Sequence, residues 1–546
     1  MKKLLIGLFA ILCLTNVNAQ DTFKGEFDEF RTETMKEFND FRKDCFAEYI
    51  DFVRQAWAEV GVERPIPLPE DEMYVPEINN DSDPETNSWL SRQIGNLTTR
   101  ILGVFTSNKK KKKDAPVDAD ALPENLKSEK KQQEVANAQP GKGNDPMEAL
   151  YERIRIPKDP YQQPQPLSPV KEDKTSLNDY YAFKSFGTEY KVRMGDDCKF
   201  KLEYVGSNAI ADALKNMLNT QFDNILYDCL ELRKEHHLSD WAYYQMLCDL
   251  ADSFYGKDSN EGNLVLAYLY IMSGYKVRMA HDHEHVFVLL ASKHRLTGRG
   301  YYKFDDDFFY VMRGKEPERI SFCPVPFPKE MGLSLIIPEI QDFAFDATQP
   351  RTISSLRYPE FSFTISLNKN LIDFYNTYPS SILGNDDMTR WAMYANAPMV
   401  EEVRNQLYPQ MSAKLQGLSE YQAVARLLNW VQTGFDYKFD NEVWGYDRPF
   451  FGEESLFYPY CDCEDRAILL SHLVRDLVGL KAALVYVPGH LAMAVEFNQD
   501  VDGCYFIVDG RRFTFCDPTF INGRIGQYAA ETQIDKAQLY LLEKEI

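Results

Sequence analysis

Three kinds of hydrophobic pattern follow one another along this chain. Between positions 26 and 58 an eleven-residue unit repeats: Glu26-Phe27-Asp28-Glu29-Phe30-Arg31 returns as Glu37-Phe38-Asn39-Asp40-Phe41-Arg42, then more loosely as Glu48-Tyr49-Ile50-Asp51-Phe52-Val53. Eleven residues make three turns at ~3.67 residues per turn, so Phe27, Phe30, Phe38, Phe41, Tyr49 and Phe52 line one face of a predicted helix. The other face is charged. Such a helix packs on its own protein, or it oligomerises or binds a partner. From Pro65 to Pro169 the periodicity lapses. This stretch holds 14 of the 28 prolines and many acidic, Lys and Gln residues, the composition of a disordered linker without a core. One island interrupts it. Leu90, Ile94, Leu97, Ile101 and Phe105 stand at helical spacing, and Lys109 to Lys113 follow. Positions 88–113 suit contact with an anionic membrane surface, or a docked helix beside a solvated charge run.

Near Leu177 ordered patterning resumes. Strand-like alternation (Tyr190 to Tyr204, Phe361 to Leu367) mixes with helical periods, which predicts an α+β fold. Two stretches of it resemble each other. Leu238-Ser239-Asp240 and Leu418-Ser419-Glu420 each open a helical pattern, 180 positions apart. Further on the offset becomes 205, where Gly274 matches Gly479 and His285 matches His490. The simplest account is one domain present twice. About 25 extra residues, Lys438 to Asp462, stand in the second copy before Cys463. At the position facing Cys463 the first copy has Asp258, and it keeps an acidic Asp306 downstream.

Composition narrows the classes. The chain has 546 residues, 44% of them apolar, so a sizeable core is expected. Its net charge of −22 excludes a nucleic-acid surface as the main business, because phosphate contacts need clustered Lys and Arg. Lys2 and Lys3 precede an apolar run from Leu4 to Leu14, and Val17-Asn18-Ala19 offers a cleavage site: residues 1–19 read as a signal peptide, and the protein as exported, periplasmic or secreted. Of the ten cysteines, Cys13 falls in that leader. The nine remaining are an odd number and too few for a disulfide scaffold.

The candidate chemistry lies near the C-terminus. Cys463-Glu464-Asp465-Arg466-Ala467 opens a helical run ending at Gly479. A cysteine at a helix start has its thiolate stabilised by the dipole and by free N–H groups, which also suit a developing oxyanion. A strand from Ala482 leads through Pro488-Gly489 to a second strand beginning at His490. A later strand ends in Cys516-Asp517-Pro518-Thr519. Asp517 would hold one imidazole nitrogen, and His490 would activate the thiol for acyl transfer. In the extra segment, Trp444 and Tyr437 are candidates for lining the acyl site or donating to an oxyanion. A metal alternative rests on His281, His283 and His285, which would face one side of a strand.

This stretch resembles the transglutaminase-like superfamily within the wider papain-like thiol group. The shared pattern is Cys463, Asp465 and Ala467, then Gly479, His490 and Asp517-Pro518-Thr519, across roughly residues 418 to 520. The resemblance implies that Cys463 is a nucleophile, His490 a general base and acid, and Asp517 the residue that orients it. It implies no cofactor and a protein or peptide-like substrate. Leu491 and Ala492 stand where that family usually has an aromatic after the histidine, and Cys461 where a glycine is common. The resulting expectation is a signal peptide (1–19), an amphipathic helix (20–60), a linker (61–176), a degenerate transglutaminase-like domain (177–320) and a second with the Cys-His-Asp triad (321–546). Three function classes follow: an exported thiol enzyme acting on amide bonds of envelope substrates, a non-catalytic envelope scaffold or interaction module on the same folds, and a metal-dependent protein using the first copy.

Overall fold

The structure, a computed structural model, describes residues 44, 46–48, 50–51, 54–66, 147–148, 161–174, 179–304, 306–384, 388–508 and 510–542. Two six-stranded sheets organise it. The first contains β1 (Ala58–Gly61), and the second contains β2 (Met147–Glu148). In chain order the first sheet adds β3 (Val277–His281), β4 (Val286–Ala291), β5 (Tyr302–Phe304), β6 (Asp307–Val311) and β7 (Arg319–Phe322). The second adds β8 (Lys481–Val487), β9 (His490–Glu496), β10 (Tyr505–Val508), β11 (Arg511–Cys516) and β12 (Gln538–Leu541).

The spatial orders are β1-β7-β3-β4-β6-β5 and β2-β10-β11-β9-β8-β12. Leaving out β1 and β2, the five remaining strands follow the same order in both sheets, and all their pairings are antiparallel. The tight turns explain the local pairing. Pro488-Gly489 joins Val487 to its partner His490, with Gly489 at φ 77°, a conformation that favours glycine.

In each half one helix packs on one face of the sheet and a second helix packs on it in turn. The pairs are α1 (Asp240–Tyr255) and α2 (Asn260–Met272) in the first, α3 (Glu420–Gly434) and α4 (Cys463–Leu473) in the second. Ser239 and Ser419 cap α1 and α3 through their side chains, Ser419 in a capping box with Gln422. α2 is buried from Gly262 to Met272 and α4 from Glu464 to Leu473, because each lies between its sheet and another helix. The opposite face of each sheet has a smaller core of its own, around Ala280 and Phe322 in the first and Val485 and Phe515 in the second. The helix-side cores of both halves form one contiguous apolar cluster. The fold is α+β.

Several sequence boundaries move. The helix expected over 20–60 does not reach 60: residues 50 and 51 are helical, Arg54 and Gln55 turn, and β1 pairs with β7. Long-range sheet pairing overrides the local helical period there. Phe46 stacks on Phe327 at 5.6 Å and Ile50 is buried, so the described part of this helix packs on its own protein. The phenylalanine stripe from Phe27 to Phe41, the signal peptide and the 88–113 island lie outside the described residues. The linker is also shorter than expected. Within it, the Tyr161 hydroxyl donates to Asp240 Oδ1 at 2.7 Å, Leu167 N–H to the Met272 carbonyl at 3.1 Å, and Asp173 N–H to Asn224 Oδ1 at 2.8 Å. Proline-rich chain lies extended without needing its own ladder, so a few hydrogen-bonded anchors suffice to dock it. The boundary expected between 320 and 321 falls inside β7.

Candidate functional site

The site forms where α4 meets the β8–β9 hairpin and the end of β11. A short parallel bridge of Tyr460–Cys461 to Asp436–Tyr437 delivers the chain to the helix start. Asp462 caps α4 and Asp465 answers it, accepting the Asp462 N–H at 3.3 Å. Asp465 also accepts the Phe450 N–H at 2.8 Å, which ties the aromatic segment to the helix. Cys463 is therefore the first residue of α4, as the sequence predicts, with a half-buried thiol. α4 packs on β9, and the Leu491 N–H, one residue past His490, faces the sulfur.

His490 opens β9 fully enclosed, and its Nε2 lies 3.0 Å from Asp517 Oδ2. The other oxygen of Asp517 accepts the Thr519 and Phe520 N–H groups at 2.8 and 3.2 Å. Those bonds fix the carboxylate, which fixes the ring and leaves Nδ1 on the edge away from Asp517. Sequence reasoning missed Gln432. Its buried amide, from α3, donates to the carbonyls of Asp517, Phe520 and Gly523 at 3.0, 2.8 and 3.1 Å and so clamps the whole turn. A glutamine within an amphipathic helix carries no signal of that role.

The electrostatics differ from the sequence expectation of a thiolate favoured by the helix dipole. Burial and the adjacent Glu464 carboxylate, which accepts from Sγ at 3.0 Å, push the Cys463 thiol well up; only the Leu491 N–H is a notable opposing influence. Asp440, Asp462 and Asp465 are likewise pushed well above the carboxylate range, by burial first and then by repulsion among the acids. Burial also opposes the charge of Glu464. Arg390, the Cys463 thiol and a hydrogen bond with Asp462 outweigh it and hold Glu464 below its ordinary value. Asp440 and Glu464 escaped sequence reasoning because acids at a helix start read as dipole partners.

Tyr437 stands beside this cluster. Burial, and then the neighbouring Cys463, Asp462 and Glu464, push its hydroxyl well up, and the Arg466 guanidinium lies 5.2 Å from its ring centre. Trp444 stacks edge-on against Phe450 and Tyr458 with Arg448 over its face at 4.1 Å, so it braces the aromatic segment.

The first half places other residues at the equivalent points. Its helix start is Asn260, not Asp258, and α2 begins there as α4 begins at Cys463. Asn260 Oδ1 accepts the Val286 N–H at 2.8 Å and its amide donates to the Glu284 carbonyl at 3.0 Å. Asp306 sits in the β5–β6 turn, the counterpart of the Gly510 turn rather than of Asp517, because a hairpin register cannot be read from loosely matching aromatic-acidic runs. The chain leaving β6 instead carries Arg313, whose Nε lies 3.3 Å from Asp258 Oδ1. The three histidines do not share a strand face. β3 ends at buried His281, the chain turns through His283 at φ 74°, and exposed His285 pairs with Asp282 at 3.4 Å. Among the described residues, Asp440, Asp462 and Glu464 are the one group of three or more potential ligand side chains whose ligand atoms all lie within 4.8 Å of one another.

Among the described residues, no helix is long and apolar enough to cross a membrane. Comparisons of the chain with protein-family models, characterised proteins and solved structures found no match.

Proposed function

We propose that the second half is a thiol acyl-transfer unit of transglutaminase-like type, acting on amide bonds of protein or peptide-like substrates in an exported, periplasmic or secreted protein. The observation that carries this reading is the enclosed His490–Asp517 pair at 3.0 Å, opening the strand on which the Cys463 helix packs. In the proposed cycle the Cys463 proton passes to His490 Nδ1, and the sulfur attacks the substrate carbonyl. N–H groups of the first turn of α4 hold the oxyanion. The C–N bond breaks as the imidazolium returns its proton to the leaving amine, leaving an acyl-thioester. Water or a second amine, deprotonated by His490, then releases the acyl group. Asp517 stabilises the imidazolium throughout.

Shared strand order and helix placement support the first half as a duplicate that has lost this chemistry. The phenylalanine stripe from Phe27 to Phe41 is proposed as a partner contact and segment 88–113 as a membrane-surface contact.

The test is iodoacetamide labelling near pH 7, mapped by mass spectrometry, on the wild type and on His490→Ala. Labelling of Cys463 that is fast in the wild type and drops at least tenfold in the variant supports the enzyme. Cys463 is less buried than the other described cysteines, so selectivity that survives the substitution reflects exposure alone and overturns the reading. The rival, a non-catalytic scaffold, is favoured by one observation: Glu464 beside the sulfur opposes a thiolate.

A further inference from the structure

The carboxylates around the start of α4 are more than dipole partners. Asp440 begins the short helix Asp440–Val443, Asp462 caps α4, and Glu464 is its second residue. All three are more than nine-tenths buried, and one oxygen of each lies within 4.8 Å of the others. Asp462 Oδ1 is enclosed and has no hydrogen-bond donor, although the residue already makes its capping bond. Arg390, paired with Asp447, acts on Glu464 only through space, and Arg448, paired with Glu454, hydrogen-bonds Asp440 only through its backbone N–H; neither donates to Asp462 Oδ1. Three carboxylates taken out of water at this spacing need positive charge or protons among them.

We propose that Asp440, Asp462 and Glu464 bind one hard divalent cation, Ca²⁺ in preference to Mg²⁺, at the start of α4. An all-oxygen, anionic ligand set matches hard cations rather than zinc. Ligand oxygens at ~2.4 Å from Ca²⁺ stand up to ~4.8 Å apart, the spacing this cluster allows, and Ca²⁺ accepts irregular protein cages. Mg²⁺ keeps several waters in a strict octahedron, which an enclosed carboxylate cluster accommodates poorly. The ion would clamp the 440–464 segment onto the helix that carries Cys463. The site stands or falls independently of catalysis.

The test uses full-length protein carrying Cys463→Ala, stripped with EGTA and titrated with CaCl₂ or MgCl₂ by calorimetry and thermal unfolding. One equivalent of Ca²⁺ should bind saturably and raise the Tm by several degrees, with Mg²⁺ at least about tenfold weaker. Asp462→Asn and Glu464→Gln should each weaken Ca²⁺ binding by roughly tenfold or more. Terbium luminescence excited through Trp444 and Tyr437, and competed away by Ca²⁺, reads the same site in a cluster left intact, whether or not those variants fold. Absence of saturable binding and of sensitised terbium emission up to about 10 mM, well above the range of extracellular calcium modules, overturns the proposal. So does Ca²⁺ binding that both folded variants retain. In either case a proton shared by Asp462 and Glu464 neutralises the cluster.

Discussion

The two sheets set the same scaffold to different uses. In each, a buried helix begins against the start of the strand it packs on. In the first, Asn260 at that point is a fastener: its amide saturates the backbone of the strand start, and Asn263 adds a bond to the Val286 carbonyl at 2.9 Å. In the second, Cys463 leaves that junction to a thiol, and the polar work moves to His490, Asp517 and Gln432. The histidines mark the contrast. His285 has a side chain 61% exposed, whereas that of His490 is 0% exposed. His285 has only the neighbouring Asp282 at 3.4 Å beside it in an exposed turn, whereas an enclosed ring against a fixed carboxylate is held in one orientation. Placement on the fold therefore does not by itself make the proposed site; enclosure of the ring and a carboxylate behind it set the two halves apart.

The largest effect expected is on the thiol. Cys463→Ala or His490→Ala should lower amine release from a fluorogenic peptide amide by on the order of 10⁴-fold or more. Adding Asn260→Cys to Cys463→Ala should restore nothing, since His285, at the start of the facing strand, is exposed; recovered activity would break the contrast between halves. Asp517→Asn should cost roughly 10²- to 10⁴-fold in kcat with little change in fold, read by the same assay beside circular dichroism. Loss confined to KM would remove Asp517 from the orienting role.

Next come the clamps. Gln432→Leu leaves three carbonyls without their donor and should cost about 3 kcal/mol in urea unfolding, at ~1 kcal/mol per bond. Asn263→Leu in the first half, which loses bonds to Val286 and Asp258, should cost about 2 kcal/mol on the same scale. Equal costs would mean that the turn carrying Asp517 is no more tightly held than its counterpart.

The smallest effect is a pH slope. Burial pushes Glu453 up to about 7, against bonds from the Val400 N–H and the Tyr375 hydroxyl. The folded state then keeps a proton that the unfolded chain releases near the ordinary value of 4.5. Stability from this group is full below the unfolded value and is lost as pH rises towards about 7, by up to about 3 kcal/mol. Glu453→Gln should flatten that slope between about pH 5 and pH 8, measured as urea midpoints. An unchanged slope would place the titration elsewhere.

By itself the sequence determined the local events. Ser239 and Ser419 announce helix starts, Gly274 and Gly479 end helical runs with positive φ, and Cys463, His490 and Asp517 fall at a helix start, a strand start and a strand end as their flanking patterns require. These are legible because capping and periodicity depend on neighbours a few residues away. Tertiary structure alone decided the rest. It paired β1 and β2 with strands hundreds of positions distant, replaced Asp258 with Asn260 at the helix start, and set Gln432 behind Asp517. It also gathered Asp440 with Asp462 and Glu464 beside the sulfur, reversing the dipole's expected effect on the thiol. The pKa of a group depends on what is packed around it and on the water excluded, and neither is recorded in the order of residues along the chain.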